Sequence, residues 1–249
     1  MKRLLLAITI ATAISIQAAE KEMPVYELRT YHAAPGKLDD LHARFRDHTM
    51  KIFEKHGMTN IAYWVPLEKP DQRLIYMLAF PSRDAAKKAW KEFGADPEWQ
   101  AAQKASEANG KLVLKAESVF LTPTDYSPEI KPSKAGEPRT FELRTYKASP
   151  GKLTDLHARF RDHTLALFTK HGMTQFGYWT PMDKAKGADD TLIYILAHKS
   201  QQAAEDSFKA FRADPDWIAA KKASEENGSL TASQPESLFM TPTDYSPTK

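Results

Sequence analysis

The sequence predicts an α+β fold in which two β-α-β-β-α-β units lie in tandem and pack sheet to sheet within one chain. Three observations carry this expectation: a long segment is written twice, both copies share one order of elements, and a proline-rich stretch separates them. Tyr26-Glu-Leu-Arg-Thr-Tyr31 returns as Phe141-Glu-Leu-Arg-Thr-Tyr146, and between Tyr26–Pro66 and Phe141–Pro181 29 of 41 positions are identical. Both copies close on Thr-Pro-Thr-Asp-Tyr-Ser-Pro, at 122–128 and 241–247. A repeat of about 100 residues is a duplicated domain; solenoid modules are shorter.

Each element is set by local pattern. Val25–Tyr31 alternates, with Tyr26, Leu28 and Thr30 on one face and Glu27, Arg29 and Tyr31 on the other, as a strand requires. Pro35-Gly36 ends it. A helix from about Lys37 to His56 comes next and stops at Gly57, the usual C-terminal glycine position. Met58–Val65 and Arg73–Phe80 are rich in β-branched and aromatic residues, with Pro70-Asp71 as the turn between them. Ser82 caps a second helix ending near Gly94, and Asp96-Pro97 restarts it, Asp as cap and Pro at the first helical position. Asn109-Gly110 ends that piece, and Leu112–Leu121 forms the last strand. The order is the ferredoxin-like split pattern: a sheet with helices on one face, whose bare face the tandem copy is expected to cover.

The domains expected are 24–127 and 140–247, joined by a Pro-rich linker at 128–139 that carries Pro128, Pro132 and Pro138. Residues 1–19 read as a signal peptide. Met1-Lys2-Arg3 gives a positive start, Leu4–Ile16 an apolar core shorter than the roughly 20 residues a membrane span needs, and Ala18-Ala19 a cleavage point. A periplasmic or secreted, membrane-free mature protein is the expectation.

Composition excludes several classes. The 249 residues carry 35 Lys and Arg against 32 Asp and Glu, without the dense basic footprint of a nucleic-acid binder. No cysteine is present, so disulfides, thiolate metal sites and Cys nucleophiles are ruled out. Gly-x-Gly-x-x-Gly, phosphate-loop and Gly-x-Ser-x-Gly patterns are missing, and no cofactor or metal is expected.

The run Tyr-Glu-Leu-Arg-Thr-Tyr, then Pro-Gly-Lys-Leu, a His-bearing helix, His-Gly-Met, Tyr-Trp and a late Asp-Pro-Glu-Trp resembles the NIPSNAP family in both copies. The resemblance implies the dimeric α/β-barrel superfamily, here closed within one chain, and a poorly defined activity. Other families on that barrel include cofactor-independent oxygenases, isomerases and haem enzymes, a likeness of fold alone.

The candidate ligand-binding residues are Arg29, Tyr31, His48 and Tyr63 with their counterparts Arg144, Tyr146, His163 and Tyr178. If Leu28 faces the helices, Arg29 and Arg144 point into the seam between the sheets, where each needs its neighbouring Glu or an anionic ligand. At 100° per residue, His42 and His48 flank the apolar stripe of the first helix, so an imidazole could act there as a base. His42 and His48, six apart, are poorly spaced for a shared metal. Three functions stay open: a small-molecule-binding barrel, an oxygenase or isomerase with His48 or His163 as base, and an interaction scaffold with a dry seam. Further pairing of chains is left open as well.

Overall fold

The computed structural model describes residues 24–68, 72–133, 137 and 139–249. The expected leader, 1–19, lies outside the described residues, as do the expected turn Pro70-Asp71 and Pro138 of the linker. The first half runs β1 (Val25–Ala33), α1 (Leu38–Arg44), a π turn (Phe45–Thr49), α2 (Met50–Lys55), β2 (Thr59–Pro66), β3 (Arg73–Phe80), α3 (Arg83–Ala95), α4 (Pro97–Ser106) and β4 (Val113–Pro123). The second half repeats it: β5 (Thr140–Lys147), α5 (Leu153–Arg159), a π turn (Phe160–Thr164), α6 (Leu165–Lys170), β6 (Thr174–Pro181), β7 (Thr191–His198), α7 (Gln201–Ala213), α8 (Pro215–Ser224) and β8 (Glu236–Pro242). The caps act as the sequence expects. Ser82 Oγ accepts from Ala85 N at 3.1 Å, and Asp96 Oδ1 accepts from Glu98 N at 2.8 Å ahead of Pro97.

The eight strands close into one antiparallel barrel in the order β1-β3-β2-β8-β5-β7-β6-β4. Closure occurs at two seams where the last strand of one half pairs with the second strand of the other. Trp64–Pro66 meets Met240–Pro242, and Leu121–Pro123 meets Trp179–Pro181. The halves thus share edges as well as faces, and no strand of the barrel is left open to aggregation.

The repeated Thr-Pro-Thr-Asp-Tyr-Ser-Pro segments are the clasps at those seams. Thr124 N donates to Tyr178 O and Ser127 Oγ accepts from Tyr178 N; Thr243 N and Ser246 Oγ treat Tyr63 the same way. Arg161 grips Asp125 through two bonds of 2.7 Å, and Arg46 grips Asp244 identically. Each tail therefore locks onto the opposite half.

Three apolar clusters organise the molecule. The barrel interior holds Tyr26, Leu28, Trp64, Ile75, Met77, Leu121, Phe141, Trp179, Ile193, Ile195 and Met240. Ile130, from the expected linker, also packs there. The other two clusters lie under the helices, one in each half, and contain Phe45, Phe53, Tyr63 and Tyr76 or Phe160, Phe168, Tyr178 and Tyr194. Gly177 shows how tight the interior is, since a Cβ there would stand 2.5 Å from the Trp179 ring.

This arrangement reverses the expected facing of β1 and β5. Leu28 points into the barrel, whereas Arg29, Tyr31, Arg144 and Tyr146 lie on the outer face under the helices. Both faces of the sheet are buried, so alternation separates two faces without saying which one meets the helices. The seam is apolar core, and it does not hold the polar set.

The helix phase is corrected too. In both copies the segment Phe-Arg-Asp-His-Thr forms a π turn, which inserts a residue and rotates the remainder of the helix relative to a 100° wheel. His48 and His163 end up exposed on its outer side. Thr49 and Thr164 instead turn inward and donate to the carbonyls of Arg44 and Arg159, five residues back, at 3.1 Å.

Candidate functional site

The eight expected site residues fall into three places. Tyr63 and Tyr178 are fully buried beneath the helices, and burial raises the pKa of both hydroxyls, so they remain protonated. His48 and His163 stand at the surface, away from the arginines they were expected to join. Arg29 with Tyr31, and Arg144 with Tyr146, share the space between sheet and helices.

The other histidine pair belongs to the clasps. His42 Nδ1 and the Tyr245 hydroxyl are 2.8 Å apart, and His157 Nδ1 and the Tyr126 hydroxyl 2.7 Å. Burial lowers the pKa of both imidazoles. His56 and His171 hydrogen-bond the capping Asp96 and Asp214 at 2.7 Å, a structural task at a helix C-terminus. No cluster of three potential metal ligands exists among the described residues.

A cavity that combines size with polar groups lies in the second half, between the outer face of the sheet and the helix layer. It measures about 730 Å³. Its floor is aromatic: Tyr146, Phe160, Phe168, Phe208, Phe211 and Trp217. Its wall and mouth carry Arg144, Arg159, Arg212, Lys221 and Lys222 against the single carboxylate Glu225. Arg159 spans the wall, bonded to Glu225 at 2.8 Å with Trp217 beneath its guanidinium at 5.2 Å. Arg144 bonds Glu142 through Nη1 at 2.5 Å and lies over Phe208 at 4.6 Å. Desolvation opposes the Arg144 charge, but Tyr194, Tyr146 and Glu142 more than restore it, and its pKa is raised.

A NIPSNAP family model matches residues 26–128 and again 141–247. The chain belongs to the NIPSNAP family. Among solved structures, a NIPSNAP family protein from Agrobacterium tumefaciens str. C58 is 26% identical, covering 42% of this chain and 97% of its own, with a TM-score of 0.38. A proposed monooxygenase from Lactobacillus acidophilus NCFM is 11% identical over 89% of this chain and 94% of its own, with a TM-score of 0.55. An anthrone oxidase-like protein is likewise 11% identical, covering 90% and 92%, with a TM-score of 0.55. At such identity the likeness is one of fold: a two-domain α/β barrel. No curated protein matches the chain.

The two NIPSNAP halves differ at this cavity, and the sequence explains how. In the first, β4 pairs with β1 as far as Val113, so Ala116 and Lys115 cover the strand beside Tyr31 and His32. In the second, pairing of β8 with β5 ends at Glu236 opposite Thr145. The next residue is Pro235, which has no N–H for the ladder, and the segment from Asn227 to Thr241 is one residue longer than its twin from Asn109 to Thr122. The chain bulges out of the sheet there and rejoins it at Thr231 opposite Ala148, with Ala232 N donating to Lys147 O at 2.9 Å; Ser233, Gln234 and Pro235, within the bulge, line the cavity.

A paired exchange in the core accompanies the opening. Trp90 donates its indole N–H to Glu27 Oε2 at 2.6 Å and lies 4.3 Å from the Arg29 guanidinium. Phe208 takes the Trp90 position and has no donor. Glu142 is served instead by His198, which replaces Phe80, at 3.2 Å, and by Ser237 at 2.6 Å. Both buried carboxylates are satisfied, by different partners, and the smaller Phe208 leaves room.

Arg159, Arg212, Lys221, Phe208 and Trp217 were not among the eight candidate ligand-binding residues; Trp217 is expected from the sequence only to anchor its helix, and Lys221 only as a solvated face. The signal was present as departures from the repeat: Arg212, Ile218 and Lys221 stand where the first half has Gly94, Gln100 and Gln103.

Proposed function

We propose that this NIPSNAP protein is an exported small-molecule-binding protein whose ligand occupies the cavity of the second half. The observation that carries the reading is the coincidence, at one place, of a bulged strand, a smaller aromatic and new cations. A volume of about 730 Å³ falls within the usual range for organic ligands, about 300–1,000 Å³, and its aromatic floor supplies the apolar surface such sites bury a ligand against. The dimeric barrel is kept by both halves, so the differences concern something other than the fold.

Oxygenase or isomerase chemistry, suggested by the names of the fold neighbours, draws less support. Among the described residues no histidine lines the cavity, and its carboxylate is held by Arg159. The lining offers cations and hydroxyls, which bind and orient, and it lacks a free base. The scaffold reading takes support from the apolar, packed barrel interior, yet it gives no reason for the cavity outside it.

A thermal-shift screen of small organic molecules on the mature chain tests the reading. A ligand at a hundred times its Kd adds about 2.7 kcal/mol of stability. That gain should vanish in the variant Phe208→Trp with His198→Phe, which restores the first half's filling. Equal stabilisation of the variant would refute the site. Export is tested by N-terminal sequencing of protein from the native host: a start near Glu20 is expected, and a retained Met1 would remove that part of the proposal.

A further inference from the structure

We propose that the second-half cavity selects organic anions with a flat aromatic body, a carboxylate or sulfonate on a ring system; this rests on the small-molecule reading above.

The charge argument begins with Arg144. Among the described residues its side chain bonds only through Nη1, to Glu142, whereas its twin Arg29 also donates Nη2 to the Tyr31 hydroxyl at 3.3 Å. Tyr146 is engaged by the Tyr194 hydroxyl at 3.3 Å instead. One arm of the Arg144 fork is therefore left uncommitted on a cavity wall, the geometry that takes an oxyanion in a charge-assisted bond. At the mouth, Arg212 and Lys221 add cations where the first half has Gly94 and Gln103. A site with this excess of positive charge raises the local concentration of anions and disfavours cationic ligands.

The aromatic argument comes from the floor. Phe211 and Trp217 lie with centroids 4.4 Å apart and planes 35° from parallel, and Phe208 adds a third ring whose edge meets Phe211. Such planar walls reward a flat ligand through area and ring–ring contact. Inorganic phosphate would use the cations and leave the rings wet. A neutral hydrocarbon would do the reverse.

The test uses a matched pair of fluorescent probes on the mature full-length chain: 8-anilinonaphthalene-1-sulfonate and N-phenyl-1-naphthylamine, which differ by the sulfonate. The sulfonate is expected to bind at least about tenfold tighter, by an advantage that shrinks in high salt. Arg212→Gly with Lys221→Gln, the first half's residues at surface positions, should bring the two affinities together. Both probes should be lost in Phe208→Trp with His198→Phe; should that variant misfold, Ser233→Trp blocks the mouth without touching the core. Equal affinity for the two probes, an advantage untouched by the Arg212 and Lys221 changes, or no sulfonate binding at all would overturn the anion class. Those outcomes leave the cavity reading to the wider screen. Binding of both probes that survives the blocking variants would instead defeat the cavity reading itself.

Discussion

The two halves bury the same glutamate–arginine pair on the same strand and satisfy it differently. In the first, Trp90 fills the space above Arg29 and bonds Glu27; in the second, Phe208 is smaller and His198 reaches Glu142 from β7. β4 pairs with β1 as far as Val113, whereas the chain ahead of β8 bulges out between Thr231 and Glu236 before rejoining β5. The barrel needs both copies, and one helix-side space is where their divergence changes the lining.

The largest effect expected concerns the shared part. A half expressed alone would expose the barrel-interior side chains of four strands, Tyr26, Leu28, Trp64, Ile75 and Met77 among them. Fully burying such side chains is worth about 1.5–3 kcal/mol each. Light scattering should find self-paired or aggregated halves and no folded monomer. A stable monomeric half would break the comparison at its root.

Next comes Trp90→Phe, which opens a void and removes the indole donor from the buried Glu27; a loss of about 2–4 kcal/mol in denaturant unfolding is expected. Adding Phe80→His, the second half's solution, should return about 1 kcal/mol or more as coupling energy. Strict additivity of the two changes would show that the exchange is not a compensating pair.

A smaller effect separates Gly177 from its twin Ala62. Gly177→Ala drives a methyl into the Trp179 ring and should cost about 1–3 kcal/mol, while Ala62→Gly should cost only about 1 kcal/mol. Equal costs would mean the interior is looser than the contacts indicate.

The mildest effect is with pH. Burial depresses the pKa of His42 and His157, so the unfolded chain binds their protons more readily and stability falls as pH drops below about 6.5. A steeper loss sets in below about pH 4. Asp214, held at about 2 by Lys170 and His171, and Asp96, lower still beside Lys55 and His56, contribute stability above their unfolded values that is lost as they protonate. Tm should therefore decrease monotonically from pH 7 to 2, with the acid limb flattened in Asp214→Asn. A Tm that rises on acidification would contradict both assignments.

Most of the architecture was legible in the chain because the determinants are local. Ser82, Asp96-Pro97 and Gly57 mark helix ends by their own chemistry, and the repeat announces the pairing of sheets. The facing of Arg29 was not legible, since Leu28 and Tyr31 are both apolar enough to be buried and either face could have met the helices. His48 was misplaced because a π turn leaves no trace in a 3.6-residue pattern. The cavity was missed because identity between copies drew attention to Arg29 and Tyr31, while its opening depends on Pro235, Phe208 and Arg212, where the copies disagree.

The central claim is that one half keeps the fold sealed while its twin holds the site. Calorimetric titration of the mature chain with 8-anilinonaphthalene-1-sulfonate measures this directly through stoichiometry. The account predicts one site per chain, abolished by Phe208→Trp with His198→Phe. Two equivalent sites, or one site that survives that exchange, would contradict it.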